Sequence, residues 1–281
     1  MIVDTLIKKG SEILKKENII SYKIDSELLL SKVLGRDRVS ILINGEKDVS
    51  SKIKLNYLDL IMRRKRHEPI SYITNNKEFW SLDFTVNKNV LIPRPDTEII
   101  VENVLKKFKY RDNLNILDIG TGSGCVLLSI LKELKKSHGI GIDKSSKAVN
   151  IARKNSKSLN LFRRTKFINC NVDNFNYGNY DVIVSNPPYI NSYRVNSLSK
   201  EIKNYEPRLA LDGGISGIET IKKVIFCAKK LLKNNGSLFI EIGNNQSNKV
   251  LSMLNKSGFM LVKKLKDYTK TTRCIISTKI I

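Results

Sequence analysis

The chain has 281 residues, 41% of them apolar, and carries 50 Lys and Arg against 27 Asp and Glu, for a formal net charge of +23. This balance excludes a disordered chain and suffices for one substantial core with a smaller companion domain. No apolar run approaches the ~20 residues that span a bilayer, and no secretory signal opens the chain, so we expect a soluble, cytoplasmic protein without membrane contact. Four widely spaced cysteines and two histidines predict neither a disulfide nor a bound metal.

The excess of positive charge has two interpretations. It favours encounter with polyanions, so proximity to nucleic acid or to the ribosome is one of them. Lys, Asn and Ile are frequent throughout, however, as a biased base composition would produce. The run Arg63–His67 also closes a predicted helix, where cations complement the helix dipole and are commonly solvated. Both interpretations stay open.

Helical periodicity dominates the first 70 residues. Leu6, Ile7, Ile13 and Leu14 recur at helical spacing, and two further stretches up to residue 67 repeat the pattern. We therefore predict a small N-terminal helical domain over residues 1–70.

From Tyr72 to Ile92 the apolar spacing changes to period two, which predicts a β-hairpin linking two domains over residues 71–92. Trp80, the only tryptophan, is expected in the core of the hairpin or between the domains rather than in a substrate site. Pro93-Arg94-Pro95 ends this stretch, and a helix is expected from Asp96 to about Phe108.

The rest of the chain alternates strands and helices, which predicts a mostly parallel sheet covered on both faces, the α/β class. The last two strands are joined by a short polar turn, so the final strand should be antiparallel. The predicted strands are Asn115–Ile119, Gly139–Ile142, Lys166–Asn171, Asp181–Ser185, Ser237–Ile242, Phe259–Leu265 and Arg273–Lys279. We assign residues 93–281 to this domain.

A glycine-rich loop, Asp118–Gly124, joins the first strand of this domain to its helix. Alternating glycines allow a tight turn and close approach to a ligand at the carboxyl edge of the sheet. The spacing is Gly-x-Gly-x-Gly, which is neither the dinucleotide fingerprint nor a phosphate loop. Asp143 ends the next strand, where a carboxylate can accept hydrogen bonds from a ribose. This arrangement resembles the class I S-adenosylmethionine-dependent methyltransferases, in which Asp118 would lie near the ammonium of the cofactor and Asp173 and Asn174 near the adenine.

Asn186-Pro187-Pro188-Tyr189 follows the fourth strand of the sheet. An amide nitrogen is a poor nucleophile, and acceptors aimed at its two hydrogens favour localisation of its lone pair. The Asn186 oxygen and the Pro187 carbonyl can serve as these acceptors, and Tyr189 can stack on the planar group. The tetrad predicts methylation of a planar amide or amine, and by itself leaves open whether the acceptor is a protein glutamine or a nucleic-acid base.

Across nearly its whole length the chain resembles the release factor glutamine methyltransferases, the PrmC or HemK family. The segments that carry the resemblance are Glu68–Ile73, Glu78–Leu82, Leu91–Glu98, Asn186–Ile190, Leu209–Gly214 and Phe239–Gly243. The resemblance implies a helical N-terminal domain that binds the release factor, a linking hairpin and a class I methyltransferase domain. It implies transfer of a methyl group from S-adenosylmethionine, leaving S-adenosylhomocysteine, to the glutamine of the Gly-Gly-Gln loop in class I release factors.

The family motifs assign roles to individual residues. Catalytic roles fall to Asn186, Pro187 and Tyr189, and substrate contacts to Asn186, Pro187, Pro188, Tyr189 and Arg94. Cofactor contacts are expected at Asp118, Gly120, Thr121, Gly122, Ser123, Gly124, Asp143, Asp173, Asn174 and Asn186. Asn174 stands where relatives often have tryptophan, so adenine stacking is in question there. Arg94 could equally form a surface ion pair with Asp96 or Glu98.

Three other functions stay open. An adenine-amino methyltransferase of DNA or RNA would use the same tetrad and the positive charge, but should have a target-recognition domain. A ribosomal-protein glutamine methyltransferase would lack the sequence Pro-Arg-Pro-Asp-Thr-Glu that stands here at residues 93–98. A non-catalytic ribosome- or RNA-binding module would not need the intact glycine loop and tetrad. We expect a monomer that uses no metal.

Overall fold

The structure is a computed structural model that describes residues 1–267 and 269–280. Tyr268 and Ile281, the latter the last residue of the predicted methyltransferase domain, lie outside the described residues. Contacts within the chain divide it into two compact units. The first comprises Met1–Asn76 and Ser199–Tyr205, and the second comprises Lys77–Leu198 and Glu206–Ile281. The domain boundaries placed after residues 70 and 92 remain predictions.

The helices and strands have the following bounds. The α-helices are α1 (Val3–Lys16), α2 (Tyr22–Leu34), α3 (Arg38–Ile43), α4 (Ser51–Lys65), α5 (Ile70–Thr74), α6 (Glu98–Lys107), α7 (Cys125–Glu133), α8 (Ser146–Ser158), α9 (Ser192–Val195), α10 (Lys200–Tyr205), α11 (Glu219–Leu231) and α12 (Ser247–Lys256). The strands are β1 (Asn76–Phe79), β2 (Leu82–Thr85), β3 (Asn115–Ile119), β4 (His138–Asp143), β5 (Thr165–Asn169), β6 (Tyr180–Ser185), β7 (Leu232–Glu241), β8 (Phe259–Lys266) and β9 (Thr272–Lys279). Short 3-10 turns occur at Pro95–Thr97, Val172–Asn174 and Arg208–Ala210. Within the described residues no helix is both long and apolar enough to cross a membrane.

The first unit is a helical bundle, as its periodicity predicts. Leu6 and Leu14 of α1 are fully buried, and they pack in one apolar cluster with residues of α2 and α4. Gly10 of α1 faces Tyr57 of α4, where an added Cβ would lie 1.8 Å from the Tyr57 hydroxyl oxygen. Glycine at this position therefore allows the two helices to approach, although it is unfavourable in a helix interior.

The run Arg63–His67 is not a purely solvated helix end, so that expectation is wrong for Arg64. Its side chain is 3% exposed and pairs with Asp25 and with Glu201 of α10, each at 2.6 Å. A buried cation needs such partners, because desolvation without them costs several kcal/mol or more. Arg63 pairs with Glu68 in the more usual, half-exposed manner.

The β-hairpin is shorter than predicted. Its strands are β1 and β2, while part of the stretch assigned to it forms α5 and Val90–Ile92 forms no strand. Trp80 and Ser81 make the turn, both with φ of 52°, a left-handed conformation that the sequence does not signal because neither is Gly or Asn. The Trp80 ring packs against the core of the second unit, and its indole N–H donates to Glu133.

The second unit contains a seven-stranded sheet in the order β5-β4-β3-β6-β7-β9-β8. All pairs are parallel except those of β9, which is antiparallel to β7 and β8. Alternate residues of the central strands enter two apolar clusters, with Ile116 and Val182 on one face and Leu117 and Ile183 on the other. Because both faces are buried, these strands are continuous apolar runs. The predicted α/β architecture is confirmed.

One buried amide connects the hairpin to the glycine loop. Asn155 of α8 is fully buried, accepts a hydrogen bond from Thr85 N at 2.8 Å and donates to the carbonyls of Thr85 and Ser123 at 3.1 and 2.9 Å. Replacing Asn155 by alanine should lower the free energy of unfolding by about 2 kcal/mol, since buried backbone groups lose their partners. Chemical denaturation would measure this loss, with Asn150→Ala on the exposed face of the same helix as the control. Equal stability of the two variants would contradict the assigned role.

Candidate active site

A cavity of about 560 Å³ lies at the carboxyl ends of β3, β4 and β6. This volume is in the range of small-molecule sites, and this edge of a parallel sheet is where such folds bind ligands. Its lining joins most of the predicted cofactor and acceptor residues in one space, because it includes residues 118–123 of the glycine loop, Asp143 and the first three residues of the tetrad, but not Gly124. The predicted site residues among its lining are Arg94, Asp118, Gly120, Thr121, Gly122, Ser123, Asp143, Asn186, Pro187 and Pro188.

The three glycines of the loop all have positive φ: 75° at Gly120, 55° at Gly122 and 81° at Gly124. An added Cβ on Gly120 would have no neighbour within 4 Å, so this backbone borders open cavity. Gly124 differs, because its Cβ would lie 3.0 Å from Leu128, and its role is close packing of the loop on α7 and α8. The loop thus presents bare backbone to a ligand, as the cofactor prediction requires.

Asp118 is buried beside the loop. Its carboxylate accepts a hydrogen bond from the Thr121 hydroxyl at 2.7 Å. Burial raises the pKa of Asp118 to about 7, and the nearby Asp143 adds to the rise while the Thr121 hydrogen bond opposes it. A cationic group of a ligand placed beside Asp118 would stabilise its ionised form and so offset the cost of burial.

Asp143 ends β4 with its side chain fixed by two backbone donors. One oxygen accepts from Gly122 N at 2.9 Å and the other from Ser145 N at 2.8 Å. Burial raises the pKa of Asp143, and these two bonds act in the opposite direction. Each oxygen retains a lone pair, so the carboxylate can accept two further hydrogen bonds from a diol.

The residues after β5 differ from the sequence-based expectation in their placement. Asp173 and Asn174 are exposed and do not line the cavity, whereas Cys170, Asn171 and Val172 do. Strand β5 ends at Asn169, two residues earlier than predicted. The residues that follow it into the cavity wall are therefore Cys170 to Val172, which precede Asp173 and Asn174 in the chain. Asp173 instead forms an ion pair with Lys223 of α11, which lines the cavity.

Asn186 follows β6 and donates from Nδ2 to the Thr97 hydroxyl at 3.0 Å. Thr97 in turn donates to Glu241 Oε2 at 2.7 Å, and Tyr189 donates to Glu241 Oε1 at 3.2 Å. Glu241 is 2% exposed, and burial raises its pKa to about 7 against the effect of these hydrogen bonds. Tyr189 is half-buried, its pKa is raised by burial and by Glu241, and it is not among the residues that line the cavity.

Thr97 and Glu241 are functional candidates that sequence reasoning passed over. Both belong to segments that carry the family resemblance, Leu91–Glu98 and Phe239–Gly243, and membership in these segments is the sequence signal that could have identified them.

Arg94 lines the cavity and pairs with the buried Glu206 rather than with Asp96 or Glu98. No group of three or more potential metal ligands comes together in the described part of the chain.

Comparisons with known proteins agree with this geometry. A family model described as the PrmC N-terminal domain matches residues 5–74, and one described as a methyltransferase domain matches residues 110–275. The release factor glutamine methyltransferase of Clostridium acetobutylicum is 38% identical over 281 residues, covering 99% of this chain and 98% of the relative. That of Caulobacter vibrioides is 36% identical over 279 residues, covering 98% and 96%. A methyltransferase structure from Pyrococcus furiosus shares the fold, with a TM-score of 0.54 at 22% identity over 80% of this chain and 99% of that one.

The sheet order, the glycine loop and the matched domain define a class I S-adenosylmethionine-dependent methyltransferase. The similarity over nearly full length is more specific, and the chain belongs to the release factor glutamine methyltransferase family. The resemblance inferred from the sequence is confirmed.

Proposed function

We propose that this enzyme methylates the side-chain amide nitrogen of the glutamine in the Gly-Gly-Gln loop of class I peptide chain release factors. The observation that carries the proposal is the single cavity shared by the glycine loop, Asp143 and Asn186. A methyl donor and a planar amide bound there would lie within reach of each other. The names of the full-length relatives support the choice of release factors as the substrate.

S-adenosylmethionine supplies an electrophilic methyl group when bound and leaves as S-adenosylhomocysteine. We assign its binding to the loop from Gly120 to Gly124, in which Gly120 and Gly122 present bare backbone to a close ligand and Gly124 holds the loop in place by packing, and to two carboxylates. Asp118 would pair with the ammonium, and Asp143 would accept hydrogen bonds from the ribose hydroxyls. The adenine is assigned to the wall formed by Asn171 and Val172, with Asp173 and Asn174 at its outer side.

The acceptor amide is assigned to the tetrad. The Asn186 oxygen and the Pro187 carbonyl accept hydrogen bonds from its two N–H groups, which holds the nitrogen and favours localisation of its lone pair. These fixed dipoles act most strongly as positive charge develops on the nitrogen during transfer. Pro188 and Tyr189 would bound the planar group, and Arg94 would contact the release-factor loop.

We assign release-factor binding to the N-terminal helical domain, residues 1–70, supported by the PrmC N-terminal match. We further propose a monomeric, cytoplasmic enzyme that requires no metal, with the excess positive charge acting at most indirectly, through proximity to ribosomes.

The pKa of Asp118 predicts a pH dependence of cofactor affinity. A carboxyl with a pKa of about 7 is mostly ionised at pH 8 and mostly protonated at pH 6, and only the ionised form attracts an ammonium. Affinity should therefore fall about tenfold from pH 8 to pH 6. Calorimetric titration with S-adenosylmethionine would measure the change, and Asp118→Asn should bind weakly with little pH dependence. Equal affinity of the wild type at both pH values would remove Asp118 from the charged contact.

The proposed function is tested by mass spectrometry of the substrate. Unmodified release factor is incubated with the enzyme and S-adenosylmethionine, beside a no-enzyme control and a parallel nucleic-acid substrate, and is then peptide-mapped. One added methyl group on the Gly-Gly-Gln glutamine is the expected result. Methylation confined to the nucleic acid would overturn the proposal in favour of an adenine-amino methyltransferase.

A further inference from the structure

We propose that Glu241, acting through Thr97, is a positioning residue that fixes the side-chain amide of Asn186 with its oxygen facing the acceptor nitrogen. Glu241 ends β7, Asn186 follows the neighbouring β6, and Thr97 belongs to the segment before α6. Asn186 and Thr97 line the cavity, whereas Glu241 does not, so Glu241 acts at one remove. The inference rests on the proposed function for the identity of the acceptor.

The Thr97 hydroxyl carries a single proton, and its position decides which group of Asn186 faces Thr97. An ionised carboxylate only accepts hydrogen bonds, so the single hydroxyl proton of Thr97 must lie on its 2.7 Å bond to Glu241. Toward Asn186 the hydroxyl then offers only lone pairs. The Asn186 group at 3.0 Å must therefore be the NH₂, which directs the amide oxygen away from Thr97.

Orientation matters because the two ends of an asparagine amide have nearly the same shape. Steric packing alone distinguishes them poorly, and hydrogen bonds decide between them. A reversed amide would place its NH₂ against an N–H of the substrate, donor facing donor, and the lone pair of the acceptor nitrogen would lose one of its two localising partners. The Thr97–Glu241 pair excludes this reversal.

Glu241 also holds the other end of the tetrad. Its second oxygen accepts from Tyr189 at 3.2 Å, so one carboxylate fixes both the first and last residues of Asn186–Tyr189. Thr97 and Glu241 are each 2% exposed, which keeps water from replacing these bonds. A buried carboxylate with two neutral donors is costly to maintain, and a role in orientation gives a physical reason for it.

Protonation of Glu241 would remove the constraint, because a carboxylic acid can donate to Thr97 and allow Thr97 to donate to the Asn186 oxygen. The charged and titratable groups that surround Glu241 are Asp96, Cys125, Tyr189, Arg273 and Cys274. With its pKa raised to about 7 by burial, Glu241 should make the kcat of the wild type fall about tenfold from pH 8 to pH 6 at saturating cofactor.

The test uses three variants of the full-length enzyme. Thr97→Val removes the hydroxyl at constant shape, Thr97→Ser restores it, and Glu241→Gln supplies an NH₂ that can reverse the chain of donors. We expect Thr97→Val and Glu241→Gln to lower kcat about ten- to a hundredfold at pH 8 with small changes in KM for the release factor, and to flatten the pH profile. Thr97→Ser should recover most of the lost kcat. Thr272→Val, on β9 outside the cavity, is the matched control and should behave as wild type.

A second readout does not depend on turnover. In ¹⁵N-labelled enzyme, the side-chain NH₂ of Asn186 should exchange with solvent more slowly in the wild type and in Thr97→Ser than in Thr97→Val. Absence of release-factor methylation by the wild type would count against the proposed function, while this exchange experiment would still test the relay. Wild-type kcat in Thr97→Val and Glu241→Gln, equal loss in Thr97→Val and Thr97→Ser, or equal amide exchange in all variants would overturn the inference.

Discussion

Replacing Asn186 by alanine is expected to lower the kcat for release-factor methylation by about 10² to 10³-fold or more, because a preorganised dipole at the reacting nitrogen is lost. The cofactor's affinity should change much less, since the glycine loop and Asp143 remain. The side chain is half-buried and holds one hydrogen bond to Thr97, so folding should be little affected. Single-turnover kinetics at saturating cofactor would measure the chemical step directly.

Asn255→Ala, at an exposed position of α12, is the matched control for this variant and should retain wild-type turnover. Thermal unfolding of both variants would separate loss of chemistry from loss of structure. Normal turnover in Asn186→Ala would remove Asn186 from the mechanism and leave the Pro187 carbonyl as the remaining acceptor to be considered.

Replacing Asp143 by asparagine is expected to raise the Kd for S-adenosylmethionine about a hundredfold. The change removes the charge that strengthens hydrogen bonds to the ribose hydroxyls. It also replaces one oxygen by an NH₂, which must face the N–H of Gly122 or Ser145, where a donor opposes a donor. Loss of the charge from the hydrogen bonds to the ribose corresponds to about 2 to 3 kcal/mol of binding free energy, whereas the opposed donors destabilise the free enzyme as well.

Calorimetric titration would report this loss, with Asp112→Asn as the control. Asp112 is an exposed partner of Lys136, and its replacement should leave cofactor affinity unchanged. If Asp143→Asn binds S-adenosylmethionine as tightly as the wild type, the ribose must be bound elsewhere, and the assignment of the end of β4 would be wrong.

The sequence was sufficient for the sheet and for the central part of the site. Buried parallel strands are apolar runs separated by helical periodicity, so β3 and β6 could be placed almost to the residue, and with them the loops that follow. The glycine loop and the tetrad are contiguous motifs directly after those strands. Their convergence on one cavity follows from the strand order, since β3 and β6 are neighbours.

The features that were missed depend on contacts between residues far apart in sequence. Glu241 and Thr97 are separated by 144 positions, and nothing in either segment alone shows that they meet. Arg64 looked like one of several cations at a helix end, and only the pairing with Asp25 and Glu201 explains its burial. The sequence placed Asn174 in the cavity wall, whereas Asn171 and Val172 line it. The cause is that β5 ends two residues earlier than predicted, and strand boundaries are the least certain part of a prediction from sequence.

The inclusion of Ser199–Tyr205 in the first unit bears on how such enzymes can be recombined. The chain passes between the units after Asn76, after Leu198 and after Tyr205, so one cut does not divide it. A fragment that ends at Asn76 lacks Glu201, one of the two partners of the buried Arg64 guanidinium. A chimera that takes its helical bundle from one relative must therefore take residues 199–205 from the same parent. The two regions must be exchanged together in such a chimera, although more than a hundred residues separate them.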